Sequence, residues 1–222
     1  MMKQKLVIFG NSQIAELAQF YFDRDTDFEV TAFCVDAEYQ KEDSFCGRPL
    51  VPFGGVEKLY PPKDHAFFVA LSYTKLNILR RERFEAATAL GYDLVSYVSP
   101  RATVLNDGRI GRNCFILEDN TIQPFVTIGD NVTLWSGNHI GHHSTIESHC
   151  FIASHVVVSG GVTVGEQCFL GVNCTLRDGI SIGEKSVIGA NALILGDVEP
   201  EGVYISERTA RARLPSSKLR GI

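Results

Sequence analysis

From Val104 onward an aliphatic side chain recurs at every sixth position. The series begins Val104, Ile110, Ile116, Ile122 and ends Ile182, Ile188, Ile194, and all sixteen positions of the frame are aliphatic. Two residues before the aliphatic the residue is usually small or apolar, as at Ala102, Cys114, Val126, Cys150 and Ala192. One residue after it glycine recurs, at Gly111, Gly129, Gly141, Gly165, Gly171, Gly183 and Gly189. A six-residue period of this kind predicts a parallel β-helix in which each hexad is one short strand and a turn. Three hexads make a triangular coil, so the frame predicts about five coils, each advancing about 4.8 Å. The aliphatic fills the prism, the small residue packs beside it, and the glycine is expected to permit the corner.

The first hundred residues lack this period. Lys5–Phe9 is a buried-strand run, Gly10–Gln13 a loop, and the stretch from Gln13 is helical with Ile14, Leu17 and Tyr21 on one face. A second strand ends at Asp36, a loop and short helix follow over 47–64, and a third strand starts at His65. A helix is expected over Thr74–Leu90 and a fourth strand over 92–98. Strand–helix alternation implies a parallel sheet covered by helices. The expected division is therefore 1–99, a Rossmann-like domain, and 100–222, a β-helix with a C-terminal tail. The first turn reads Gly10-Asn11-Ser12-Gln13-Ile14-Ala15, without the second and third glycines of a dinucleotide fingerprint. NAD is therefore not expected. Ligands of such sheets still sit at strand C-termini, where Ser12, Gln13, Asp36 and Ser72 fall.

Composition narrows the classes. The chain has 222 residues and a formal charge of −5, which argues against general nucleic-acid binding. No apolar run reaches the roughly 20 residues of a membrane span, and the N-terminus does not read as a signal peptide. Cytoplasmic residence with reduced thiols is expected. Cys114, Cys150, Cys168 and Cys174 all take the small inward position of the frame and read as core filler.

Five of the six histidines lie between residues 136 and 155: His139, His142, His143, His149 and His155. His143, His149 and His155 each follow an inward aliphatic by three residues, so they project from three different corners and cannot meet on one ion within a chain. His139, His149 and His155 read as exposed polar corners, and no resident metal is expected.

A six-period β-helix behind a Rossmann-like domain resembles bacterial sugar acetyltransferases of the sialic-acid O-acetyltransferase and nucleotide-aminosugar N-acetyltransferase family. "FGNSQ" stands where that family has a Gly-x-Ser loop, "NHIGHHSTI" where it carries a catalytic histidine, and "CFLGVNCTL" resembles its acetyl-CoA-binding coil. The resemblance implies an α/β N-terminal Rossmann-like domain followed by a left-handed parallel β-helix of hexapeptide repeats. It also implies a homotrimer with active sites between subunits, and acetyl-CoA as co-substrate. His142 matches the catalytic base; Ser12, Gln13, Asp36 and Ser72 match positions holding the nucleotide-sugar. Gly160, Gly171 and Val172 lie along the coils that line the donor site. Two departures stand out. Many members follow the base with glutamate, whereas here His143, a further catalytic candidate, follows, so another group orients His142, with Asn138 as candidate, or none does. The usual C-terminal ending is replaced by a basic tail with Arg208, Arg211, Arg213, Lys218 and Arg220, either CoA-phosphate contacts or a solvated segment.

The chemistry implied is direct acyl transfer. A histidine is suited to take the proton of an attacking amine, and an N–H at a glycine corner such as Gly160 is a candidate oxyanion donor. The expected function is an acetyl-CoA-dependent N-acetyltransferase acting on a nucleotide-linked amino-dideoxysugar. The alternatives are a sugar O-acetyltransferase, a zinc-dependent hydro-lyase with a metal site between subunits, and a non-catalytic binding scaffold.

Overall fold

The computed structural model describes residues 3–211, 213 and 215–218. The N-terminal sheet contains β1 (Gln4–Phe9), β2 (Phe28–Val35), β3 (Ser44–Phe45), β4 (Arg48–Pro52), β5 (His65–Val69) and β6 (Asp93–Leu94), in the order β3-β4-β2-β1-β5-β6. All neighbours are parallel except the β3–β4 hairpin. Side chains of β1 alternate between two cores. Leu6 and Ile8 pack with Ala15, Ala18 and Phe22 of α1 (Gln13–Asp25). Val7 and Phe9 pack with the opposite helix, through Phe84 and Ala87. Between β4 and β5 lies a short helix, α2 (Val56–Leu59).

Three elements of this half differ from the sequence reading. The stretch taken as loop before the short helix forms the β3–β4 hairpin and adds β4 to the sheet. The third helix, α3, spans Ile78–Ala89 rather than starting at Thr74. Lys75, Leu76 and Asn77 instead take φ of 51°, 52° and 65°, three left-handed residues in succession that turn the chain into α3. The stretch read as a fourth strand divides: Asp93–Leu94 completes the N-terminal sheet, whereas Tyr97–Val98 pairs with Phe115–Ile116 as the first rung of the β-helix.

The rest of the chain winds as a left-handed parallel β-helix. Its first face has seven two-residue strands, from Tyr97–Val98 through Phe151–Ile152 to Val203–Tyr204. The second face runs from Thr103–Val104 through His139–Ile140 to Leu193–Ile194. The third has four strands, Thr127–Ile128 to Ser181–Ile182, extended by bridges from Ile110 and Val198. Strand partners stand eighteen residues apart, for example Ile122 on Ile140 and Ile152 on Leu170. The frame aliphatics from Ile116 to Ile188 are buried together. Cys114, Cys150, Cys168 and Cys174 are fully buried among them. Three of these thiols donate to carbonyls of the next coil, at Gly129, Gly165 and Gly183.

The corner glycines act differently from expectation. Gly111, Gly129, Gly141 and their equivalents have ordinary φ; the left-handed residue is the one two positions later. Asn113 (54°), Phe125 (68°), Asn131 (59°), His143 (59°), His149 (65°) and His155 (58°) all occupy it. Glycine is required because coils stack closely: a Cβ on Gly165 would lie 2.7 Å from the Glu184 nitrogen and 2.8 Å from the Ile182 oxygen.

One column of corner residues docks the two halves. Asn113 accepts from the Val69 N–H at 2.7 Å and donates to Asn131 at 2.8 Å. The Asn131 amide then donates to His149 Nδ1 at 2.9 Å, so the His149 proton sits on Nε2, facing Glu166 at 3.7 Å. Gln167, next in the column, donates to the Leu76 carbonyl. From α3, fully buried Arg80 donates to the Thr133 hydroxyl and, at 2.9 Å, to the Cys150 carbonyl. His149 is thus buried, against the Phe84 ring, and not an exposed corner.

Two predictions follow from this packing. Gly165→Ala should lose about 1–3 kcal/mol by overpacking, whereas Gly179→Asn, at φ +67° with no atom within 4 Å of its Cβ, should be near neutral in thermal melts. Burial holds the His149 pKa below its usual value, with the Glu166 carboxylate opposing. The unfolded chain therefore binds more protons than the folded one just below the ordinary histidine pKa of about 6.5. Stability should be fully present above that pH and fall as pH drops through the folded pKa. His149→Asn, which also suits the left-handed corner, should flatten that slope in melts from pH 7.5 to 5.

Candidate active site

The sequence-predicted residues gather in two places. Ser12, Gln13, Asp36 and Ser72 line connected hollows at the C-terminal edge of the N-terminal sheet. Asp36, just past β2, lines a hollow of about 230 Å³ with Gly10, Ser12 and Tyr39, and its carboxylate pairs with Arg83 at 3.3 Å. Ser12 sits at the N-terminus of α1, its hydroxyl not bonded to the helix backbone. Ser12, Gln13 and Ser72 border a wider depression of about 700 Å³. Ser72 and Tyr73 lead from there into a third cavity of about 340 Å³ against the first face of the β-helix, where Gly171 and Val172 also lie. Its floor is aromatic. Phe151 and Phe169 stack at 5.9 Å, and Tyr73 meets each ring at 4.9 Å. Among the described residues no charged side chain lines this cavity. The aromatic rings were missed because Phe151 and Phe169 occupy outward strand positions, which the frame alone marks only as solvent-facing.

His142 and His143 stand elsewhere, at the corner between the second and third faces, and line none of these cavities. Both are exposed. Their Nδ1 atoms are 3.1 Å apart, so one ring donates and the other accepts. The His142 backbone N–H donates to Gln123 Oε1 at 2.9 Å. The His142 ring lies across Gly160, where an added Cβ would fall 2.7 Å from its Cε1 and 2.9 Å from its Nε2. Above His143 the same corner column continues as Gly161 and Gly179, both with positive φ and no side chain. A bare slot therefore runs up the β-helix from the imidazole pair.

Two expectations about this corner are corrected. Asn138 does not orient His142: it is buried, donates to the Trp135 carbonyl and accepts from the Val156 N–H at 2.8 Å. The Gly160 N–H is not a free oxyanion donor, because it donates to Asp178 Oδ1 at 3.1 Å. The place of Gly160 is steric, leaving room for the imidazole. His139 is half-buried on the second face and His155 exposed, its ring lying over Gly137. Among the described residues no three His, Cys, Asp or Glu side chains converge as a metal site, and no helix is long and apolar enough to cross a membrane. Arg220 lies outside the described residues; Arg208, Arg211, Arg213 and Lys218 are exposed.

Residues 107–142 and 126–160 match the bacterial transferase hexapeptide family, and 161–195 match the hexapeptide repeat of succinyl-transferase. No curated protein sequence matches the chain. Among solved structures, PerB from Caulobacter crescentus in complex with CoA and GDP-perosamine is similar at 24% identity and TM-score 0.81, over 91% of this chain and 94% of that one. The acetyltransferase domain of PglB from Neisseria gonorrhoeae FA1090 in complex with acetyl coenzyme A matches at 21% identity and TM-score 0.81, covering 92% and 97%. WeeI from Acinetobacter baumannii AYE matches at 14% identity and TM-score 0.76, covering 90% and 96%. The resemblance read from the sequence thus holds for the fold of both halves together.

Gly160→Ala should push the His142 ring aside. In spectra of labelled imidazoles, the His142 signals are expected to move while those of His149 and His155 stay, with little change in melting temperature.

Proposed function

We propose that the chain is an acetyl-CoA-dependent N-acetyltransferase acting on a nucleotide-linked amino-dideoxysugar, with His142 as general base. The observation that carries this reading is the pairing of two ligand-sized places on a fold shared with PerB and PglB. One is a groove of cavities at the N-terminal sheet; the other is an exposed imidazole beside a glycine slot. The nucleotide diphosphate suits the N-terminus of α1, where free N–H groups and the Ser12 hydroxyl favour an anion. Asp36, Gln13 and Ser72 complete that hold, and the uncharged aromatic cavity suits the face of a deoxysugar. CoA fits in a cleft between neighbouring β-helices, with Gly160 and Gly161 on one wall and Gly171 and Val172, at the end of the aromatic cavity, on the other.

The amine nitrogen attacks the thioester carbonyl and forms the new C–N bond. His142 Nε2 takes the amine proton, and His143 accepts a hydrogen bond from His142 Nδ1–H. Collapse of the tetrahedral adduct breaks the C–S bond and releases CoA, which recovers the proton. No serine or cysteine nucleophile takes part. A hydroxyl acceptor must lose its proton during attack and needs a stronger base; the absence of a carboxylate behind His142 favours an amine.

The groove and His142 lie on different faces of one chain, which supports a homotrimer whose sites form between neighbours. Exposed apolar residues on and beside the second face, among them Leu105 at 52% and Leu193 at 63% exposure, are consistent with cover by another copy. A cytoplasmic setting fits a supply of acetyl-CoA and nucleotide-sugar.

Thiol release from acetyl-CoA, measured over UDP-, dTDP- and GDP-linked 3-amino and 4-amino sugars, should show turnover with one acceptor. His142→Ala should lower that kcat by about 10²–10⁴-fold. Full activity in that variant would refute the base. Turnover only with hydroxyl acceptors would make the protein an O-acetyltransferase, and bound zinc without acyl transfer would favour a hydro-lyase.

A further inference from the structure

The corner column that carries His143 has an occupant that its backbone does not favour. The left-handed corner positions are filled mainly by Asn, Asp, His and Gly, which tolerate positive φ. Phe125 takes this position at φ 68° and stays 52% exposed. A bulky residue with this φ is an outlier, and such strain persists where something else depends on it.

The Phe125 ring packs against one thing in particular, the His143 imidazole. The ring centroids are 4.7 Å apart with a 38° tilt. His143 in turn places its Nδ1 3.1 Å from His142 Nδ1. On its other side the column has only Gly161, with no side chain to lean on. Phe125 is therefore the wall that keeps the His143 ring from swinging about χ1 and χ2.

We propose that Phe125 is a positioning residue: it holds His143 so that His143 Nδ1 accepts the proton on His142 Nδ1, leaving His142 Nε2 unprotonated as the base. The chain runs Phe125, His143, His142, and it assigns to two uncharged rings the orienting task that a carboxylate would otherwise perform. No bond is made or broken in this step; only the tautomer of His142 is selected. The proposal rests on the reading of His142 as base, but its geometry is open to test without turnover.

The test is Phe125→Asn, a residue suited to the corner but without a ring. Relief of strain should raise the melting temperature by about 2–4 °C. The same variant should lower kcat by about ten- to a hundredfold through loss of alignment, with KM for acetyl-CoA unchanged and Phe125→Tyr restoring the rate. In ¹⁵N spectra of labelled imidazoles, the Nδ1–H tautomer of His142 should dominate in the native protein and lose its excess in Phe125→Asn and in His143→Ala. Phe125→Gly serves as a second ring-free variant if the asparagine protein fails to fold. Native kcat with an unchanged His142 tautomer in the ring-free variants would overturn the proposal. So would a loss of rate that tracks dissociation of the oligomer in sedimentation. Should the native protein transfer acetyl to no acceptor, the function proposed above fails instead, and the tautomer shift alone decides the place of Phe125.

Discussion

Everything in the β-helical half answers to one backbone constraint: each tight corner needs a residue with φ near +60°, and that residue recurs every six positions. An ordinary L-residue pays about 1–2 kcal/mol for this conformation, so the position selects glycine or short polar and imidazole side chains. Coils stack with a period of eighteen residues, so these side chains form three vertical columns, one along each edge of the prism. The sequence pattern that looks like a histidine cluster is in large part this selection. His143, His149 and His155 share a backbone reason for being there and differ only in which edge they stand on.

Two of these edges have distinct uses. Asn113, Asn131, His149 and Gln167 stand on the edge facing the N-terminal domain; hydrogen bonds link Val69, Asn113, Asn131 and His149 in a chain, and Gln167 separately donates to the Leu76 carbonyl. That chain, with Arg80 and the Tyr21–Tyr97–Phe115 aromatic cluster, fixes where the Ser12–Ser72 groove opens over Phe151 and Phe169. The edge carrying Phe125, His143, Gly161 and Gly179 has rings on two levels and nothing on the next two, which places an imidazole pair at the foot of an empty slot. A rigid, close-stacked scaffold suits this work, since corner positions cannot drift independently of the coils below.

The frame was legible because the core aliphatics alone set it, and the inward cysteines followed at once. What stayed hidden depends on partners far along the chain. The glycines looked like conformational hinges, yet their need for no Cβ comes from backbone eighteen residues away. His149 reads as an exposed corner by position, and only the docking of α3 with its Phe84 ring buries it. The left-handed run Lys75–Asn77 carries no glycine to announce it, so the helix was expected four residues too early. The β3–β4 hairpin was lost in a Pro- and Gly-rich stretch that reads as loop. The candidacy of His142 came from a resemblance in motif, whereas the contact with His143 and the engagement of Asn138 needed coordinates.

The corner around His142 also limits the chemistry it can support. Asp178 holds the Gly160 N–H, and the Gly161 N–H donates to the His142 carbonyl, so the backbone beside the imidazole is committed to coil-to-coil bonding. The equivalent link from the Arg112 N–H to Asp130 marks Asp178 as part of the scaffold. In the proposed function this corner would supply placement and proton transfer. Under the proposed reading of His142 as base, a His143 ring bonded through Nδ1 would hold the His142 tautomer without supplying the negative charge of a carboxylate. In the proposed reaction that arrangement would suit an acceptor that attacks first and sheds its proton as the new bond forms, which is the behaviour of an amine.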